Sequence, residues 1–343
     1  MPKDPSRLKK RSQKKKAKLR RIFAFFLLTF IIALSFGGYL VYKTIAAANT
    51  TYSELERGEK SDLRTKEVDI NKDPFSMLII GVENYVSGGQ NGRSDVLMVA
   101  TINPEDKSIK LVSIPRDTRV EISDKEYTDK INHAYNDGKE ATINTVENFL
   151  DIPIDYYTTV NFDGFKNTID VLGGIKVNVP FNFWEKSDTT NERIYFTEGD
   201  MTLNGEEALA FARMRKRDPM GDFGRNERQK EVVKAVIQKV VSPTTLLKVD
   251  ELAKEIGNNI ETNFRISDGI KLVSLYSGFN TSAIETFKIE GYDDTINNIY
   301  YFIPDETSVQ SVHEQLYRHL NPSLYGGESS LETEGQQLST STN

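Results

Sequence analysis

Residues 22–42, IFAFFLLTFIIALSFGGYLVY, hold no charged side chain in 21 positions, a length no ordinary soluble helix sustains. At about 1.5 Å of rise per residue, such a helix spans roughly 30 Å, the hydrocarbon thickness of a bilayer. Residues 1–21 ahead of it carry eleven Lys or Arg against one acid, a net of +10. Cations collect on the cytoplasmic flank of a span, so this head is expected inside, near anionic lipid headgroups, and everything after Lys43 outside. A cleaved signal peptide is the competing reading, since Ala46, Ala47 and Ala48 follow the span, but its apolar region would normally be about 7–15 residues. The sequence predicts an uncleaved, single-pass type II anchor in the cell membrane with an extracytoplasmic body. Because the whole chain carries −6, the 322 residues after the head carry −16. A basic cluster on so acidic an outer body disfavours nucleic acid as a partner.

The absence of cysteine excludes disulfides, thiol catalysis and Cys-ligated zinc. The three histidines, His133, His313 and His319, have no metalloprotease-like spacing, so any metal is expected to be hard, oxygen-ligated and held by carboxylates. Residues 43–73 are polar and read as a stalk, residues 321–343 read as a disordered tail, and the folded body is expected over 74–320. Within it, 75–83, 96–102 and 109–114 have the aliphatic density of buried strands. A hairpin centred near Glu105 folds position 95 back against position 115, which brings Arg93, Ser94 and Asp95 to Pro115, Arg116 and Asp117. A first strand paired parallel to 109–114 brings Glu83 to the same edge, where open α/β sheets bind ligands. Helical patterns follow at 140–150, 162–172 and 203–215, and strands at YYTTV, IKVNV, TFKIE and IYYFI. This alternation predicts a single α/β domain.

The segment FARMRKRDPMGDFGRNERQ, residues 211–229, places Arg213, Arg215, Arg217, Arg225 and Arg228 within sixteen positions. A solvated helix face is the plain alternative, but Gly221 and Gly224 punctuate the run just before a helical pattern, Val232, Val233, Val236, Ile237 and Val240. A helix beginning at Arg225 presents free N–H groups and the positive end of its dipole to an anion. Arg225 and Arg228, three apart, are expected to share a face and add forked donors. The residues themselves thus predict an oxyanion pocket suited to phosphate. A polyprenyl chain along Val232, Val236 and Val240 is one use for the stripe beyond it, and ordinary core packing is the other.

Glu83, Arg93, Asp95, Arg116 and Asp117 from the sheet edge, with Arg213, Arg215, Arg217, Asp222, Arg225, Arg228 and Gln229, form the constellation. It is carried by LIIGVEN (78–84), RSDVLMV (93–99), LVSIPRDT (111–118), KINHAY (130–135), NFDGFKNTIDVLGGIKVNVP (161–180) and LNGEEALAFARMRKRDPMGDFGRNERQ (203–229). With these motifs the chain resembles the LytR-CpsA-Psr family, and within it the teichoic acid transferases of Gram-positive bacteria. Residues 230–320 carry no motif of the family. The resemblance implies an α/β sandwich with a mixed central sheet, an apolar tunnel for a polyprenyl tail, and pyrophosphate bound at its mouth with Mg2+ or Mn2+. It implies transfer of an anionic glycopolymer from an undecaprenyl-pyrophosphate carrier to peptidoglycan, at the 6-hydroxyl of N-acetylmuramic acid, in cell wall biogenesis. Carried over by position, Asp95 is the metal-binding aspartate, and Arg116, Arg213, Arg215, Arg225 and Arg228 are pyrophosphate ligands completed by Gln229. Arg93 is placed with them.

One departure is Glu83, where the family commonly has Asp in a GxD pattern; its extra methylene moves the carboxylate by about 1.5 Å. Glu83 is expected as a second metal ligand. Arg116, Asp117 and Arg225 are the candidates for catalysis, because phosphoryl transfer depends on positioning and on stabilising negative charge. Asp117 or Glu83 is placed to take the hydroxyl's proton, or Asp117 orients Arg116. A polyprenyl-pyrophosphate hydrolase and a non-enzymatic lipid-binding membrane regulator are the alternatives to a transferase.

Overall fold

A computed structural model describes residues 52–83, 93–123, 125–242, 245 and 259–324. The basic head, the 22–42 stretch, the start of the expected stalk and most of the expected tail lie outside the described residues. Among the described residues no helix is long and apolar enough to cross a membrane.

The chain runs β1 (Phe75–Val82), β2 (Ser94–Asn103), β3 (Ser108–Ile114), β4 (Arg119–Glu121), β5 (Thr128–Lys130) and α1 (Lys139–Leu150). It continues through β6 (Tyr156–Asn161), α2 (Phe162–Leu172), β7 (Ile175–Val179), β8 (Phe183–Lys186), β9 (Arg193–Phe196), β10 (Gly199–Leu203), α3 (Gly205–Arg213) and α4 (Asp222–Val240). The last part is β11 (Ile260–Thr262), α5 (Ile266–Leu275), β12 (Ile284–Lys288), β13 (Gly291–Ile296), β14 (Ile299–Pro304) and α6 (Glu306–Leu320). Six strands make a mixed central sheet in the order β11-β6-β1-β2-β3-β12.

The mixed α/β class and most of the expected elements are present, with local corrections. β1 does not pair with β3. It pairs antiparallel with β2, which lies between them, because strands consecutive in sequence normally become neighbours. Since β1 and β3 both run opposite to β2, their ends still reach one edge, joined there by the end of β6, parallel to β1. The hairpin register pairs Leu97 with Ile114, so Asp95 falls opposite Arg116, one residue beyond the expected partner. The helix expected over 203–215 is shorter. Leu203 ends β10, and Asn204 caps α3 by accepting from the Glu207 amide while the Glu207 carboxylate accepts from the Asn204 amide.

Alternation along the strands feeds both faces of the sheet. Leu78, Ile80, Leu97, Val99, Val112 and Ile114 pack against α1 and α6. Met98, Ala100, Ile109 and Leu111 face the opposite way, towards Val233, Ile237 and Val241 at α4 and Leu272 and Leu275 on α5. A third cluster joins α2, α3, β7 and β10 to the other side of α4, where Val232 is fully buried. Val232 is therefore core, and Val236 packs against the same cluster, so of the two uses open to the stripe these residues serve core packing.

The folded body also begins earlier than position 74. Leu55 and Ile70 are buried, Tyr52 bridges to Thr262, and Arg57 and Arg64 pair with Glu147 and Asp155 at 2.5 and 2.6 Å. Residues 52–73 are thus a strap on the domain, held because Glu147 and Asp155 are nearly inaccessible carboxylates that need cations.

Candidate active site

The site is built where β1, β2 and β3 meet at one edge. Gly81 pairs with Val96 but Val82 pairs with Ser94, so Asp95 is the extra residue of a β-bulge. Asp95 stands opposite Arg116 across the β2–β3 pair, and Arg116 Nη1 donates to Asp95 Oδ1 at 2.5 Å. A glycine is required at the bulge: a Cβ on residue 81 would lie 2.8 Å from the Val96 Cβ. The same register carries Glu83 and Arg93, both exposed, to adjacent places at the rim.

Asp117 lies between two cations. Lys130 Nζ donates to its Oδ1 at 2.7 Å, and Arg116 Nε is 3.5 Å from its Oδ2. Lys130 is a member of the site that sequence reasoning left without a role, although it opens the quoted KINHAY segment. Burial alone would lower the proton affinity of Arg116. Asp95, Asp117 and Asp222 outweigh it and hold the guanidinium above the ordinary arginine range.

Helix α4 starts at Asp222, three residues before the expected start, with Gly221 as its N-cap at φ 58. A carboxylate of the chain itself, Asp222, therefore occupies the first turn. Its Oδ1 lies 2.8 Å from Arg215 Nε and 3.1 Å from Arg225 Nη2. Arg225 is mostly buried, and that burial pulls its proton affinity below the usual value, with Asp222 opposing and the positive charges of Arg116 and Arg215 adding to the shift. Five charged groups from three chain segments, Asp95, Arg116, Arg215, Asp222 and Arg225, are thus within electrostatic reach of one another. Arg116 Nε and Arg225 Nε are buried without a hydrogen-bond acceptor in the protein. Buried donors are normally paired, and an oxyanion is the group that would satisfy both. Gln229, buried one turn after Arg225, completes this face of the helix.

Two arginines differ from expectation. Arg228 does not share a face with Arg225. It is buried, its Nε donates to the Phe211 carbonyl at 3.0 Å, and its other nitrogens bond Asp218 and the Met214 carbonyl. Its donors are committed to holding α3 against α4, so it is a strut and not a phosphate ligand. Arg217 leaves the cluster for Glu185 and stacks 3.4 Å from the Trp184 ring centre. Arg213 pairs with Asp188 and lies 4.7 Å over the ring of Phe162, the residue after β6, which places it at the same sheet edge as Val82. In line with Arg225 and Gln229, the next turns of α4 bring Val233 and Ile237. These are only partly buried, as are Ile79, Val96, Leu272 and Phe279 around them. Half-buried apolar side chains thus follow the arginines along the sheet side of α4, packed against the core.

A family model described as "LytR_cpsA_psr family" matches residues 38–318. The chain is 50% identical over 309 residues to "Polyisoprenyl-teichoic acid--peptidoglycan teichoic acid transferase TagV" of Bacillus subtilis, covering 88% of this chain and 79% of that protein. Its fold is similar to the crystal structure of B. subtilis TagV, with TM-score 0.67 and 51% identity over 73% of this chain and 98% of the other. It is also similar to the LytR-CPS2A-psr family protein YwtF (TagT) with bound octaprenyl pyrophosphate lipid, with TM-score 0.62 and 32% identity over 79% and 100% of the two chains.

Proposed function

This chain belongs to the LytR-CpsA-Psr family, and from that premise we propose that it is a membrane-anchored transferase that moves an anionic glycopolymer from a polyprenyl-pyrophosphate carrier to peptidoglycan. The observation that carries the reading is the pair of buried, unaccepted guanidinium donors, Arg116 Nε and Arg225 Nε, set beside Asp95. A diphosphate supplies oxyanions that would satisfy both donors. The TagT relative holds octaprenyl pyrophosphate, which is the same chemistry.

In the proposed reaction a hydroxyl of the acceptor, the 6-hydroxyl of N-acetylmuramic acid, attacks the phosphorus that bears the polymer. The bond to the bridging oxygen breaks and polyprenyl phosphate leaves, the proton given up by the hydroxyl ending on the departing phosphate. Arg116, Arg215 and Arg225, with Arg93 and Arg213 at the rim, stabilise the charge on the pyrophosphate oxygens. Asp117 has a cation at each oxygen, which supports the role of orienting Arg116 over that of base. The donor set suits a hard ion. Asp95 and Glu83 would hold Mg2+ or Mn2+, and Mg2+ commonly takes one or two carboxylates and completes its shell from phosphates and water. Such an ion would supply charge neutralisation between phosphate oxygens.

Full-length protein in detergent, given lipid-linked polymer and glycan strands, is the test. Wild type is expected to form the polymer–glycan phosphodiester and to lose that activity on chelation, with Mg2+ restoring it. Asp95→Asn is expected to raise the Mg2+ needed for half-activity. Product formation indifferent to chelation and to Asp95→Asn overturns the metal assignment. Release of polymer into water with no glycan adduct favours the hydrolase.

A further inference from the structure

The donor chemistry gives no task to the β13–β14 hairpin, yet the hairpin is fastened to the site. Phe302 N donates to the Asp117 carbonyl at 2.9 Å, and Thr118 bridges to Phe302. Lys130, bonded to the Asp117 carboxylate, lies 5.5 Å from the Tyr300 ring centre and 5.8 Å from that of Tyr301. Its two-residue turn is preset, since Asn297 and Asn298 adopt φ of 52 and 63, the left-handed pair that joins tightly twisted strands. Register places Asp293, Thr295, Tyr300 and Phe302 on one face. Phe302 buries the base of that face in the core, whereas Tyr300 is 36% exposed, with its hydroxyl donating to Asp293 Oδ1 at 2.7 Å.

We propose that this face, Tyr300 with Asp293 and Thr295, is the acceptor subsite and takes an uncharged sugar ring of the receiving glycan. The inference rests on the transferase reading and names the place where its second substrate docks. Charge decides between the substrates. From residue 289 to 312 the chain has Glu290, Asp293, Asp294, Asp305 and Glu306 and no Lys or Arg. Lys130, already bonded to Asp117, and Arg119 reach the Tyr300 and Tyr301 rings from β5 and β4, but the hairpin's own charges are all carboxylates, so its open face disfavours an anionic polymer, which the arginine side attracts, and admits an uncharged sugar ring. An exposed tyrosine face packs against the C–H face of a sugar while a carboxylate accepts from its hydroxyls, and both are present within one hydrogen bond. The attachment to Asp117 sets the sugar beside Arg116, where its hydroxyl must arrive.

The test uses full-length protein and measures KM for glycan strands and for lipid-linked polymer separately. Tyr300→Ala is expected to raise the acceptor KM by about tenfold with donor KM unmoved, Tyr300→Phe to keep most of the affinity because the ring remains, and Asp293→Asn to fall between. Tyr292→Ala, on the opposite face, is expected to leave the acceptor KM unchanged. An acceptor KM unaffected by Tyr300→Ala, or one that moves only in step with the donor KM, overturns the proposal. In parallel, binding of an uncharged N-acetylhexosamine oligosaccharide is measured by calorimetry without donor. Binding by wild type that is lost in Tyr300→Ala supports the subsite even where no transfer occurs, an outcome that sinks the transferase reading alone. Equal binding by both proteins, or none by either, overturns the subsite.

Discussion

Arg225 and Arg228 are three residues apart on one helix and have opposite fates. Arg225 faces the charged site with its Nε unaccepted, and Arg228 is enclosed by Asp218 and two carbonyls. Arg225→Ala is expected to lower transfer by about a hundredfold or more, the scale of losing one donor to developing charge, with little change in Tm. Arg228→Ala leaves Asp218 buried without its cation and is expected to cost about 3–5 kcal/mol, read by thermal melting. Both arginines were visible in the sequence as members of an anion cluster. Their division of labour was not, because it depends on Asp218 and on the carbonyls of Phe211 and Met214, which no spacing rule assigns. His319 is a second case. Its ring bonds Thr101 and Ser108, and burial pushes its pKa down to about 4. The unfolded chain, with an ordinary histidine pKa near ~6.5, binds the proton more readily, so the contribution is full above about 6.5 and is lost as pH falls towards 4, by about 3 kcal/mol. The slope of stability against pH in that window is expected to flatten in His319→Gln.

Among the elements, the bulge at Asp95 matters most, because it interrupts the β1–β2 register at the residue that pairs with Arg116. Gly81→Ala would press a methyl group into Val96 and displace that bulge. The expected outcome is a lower Tm together with a loss of transfer larger than the stability change explains, measured as kcat at a temperature where the variant is fully folded. The strands themselves are legible: IKLVSI and VLMVATI carry enough β-branched density to identify both partners, and a hairpin between them brings Arg93, Asp95, Arg116 and Asp117 together from sequence alone. Register differs by one residue from the expected one and β1 pairs with β2 instead of β3, since both depend on turn geometry and on neighbours distant in sequence. The start of α4 was misplaced for a related reason. Apolar periodicity marks the helix from Val232 onward, whereas its first turn is polar and is fixed by Gly221 and by Asp222 against Arg215 and Arg225.

For the molecule as a whole, the strap formed by residues 52–73 was the least legible part, because its polar composition resembles a linker while its arginines serve carboxylates from other segments. A protein beginning at residue 74 would strand Glu147 and Asp155, and it is expected to melt on the order of 10 °C below one beginning at residue 52. Comparable melting of the two would show the strap to be dispensable. Its fastening also shortens the leash. With residues 22–42 in a bilayer as the sequence predicts, and Tyr52 clasped to Thr262, only nine residues are left to pay out. Nine residues reach at most about 30 Å. On that expectation the body would stay within one bilayer's thickness of the lipid surface, and a carrier diffusing in the plane would meet it by lateral collision without leaving the leaflet.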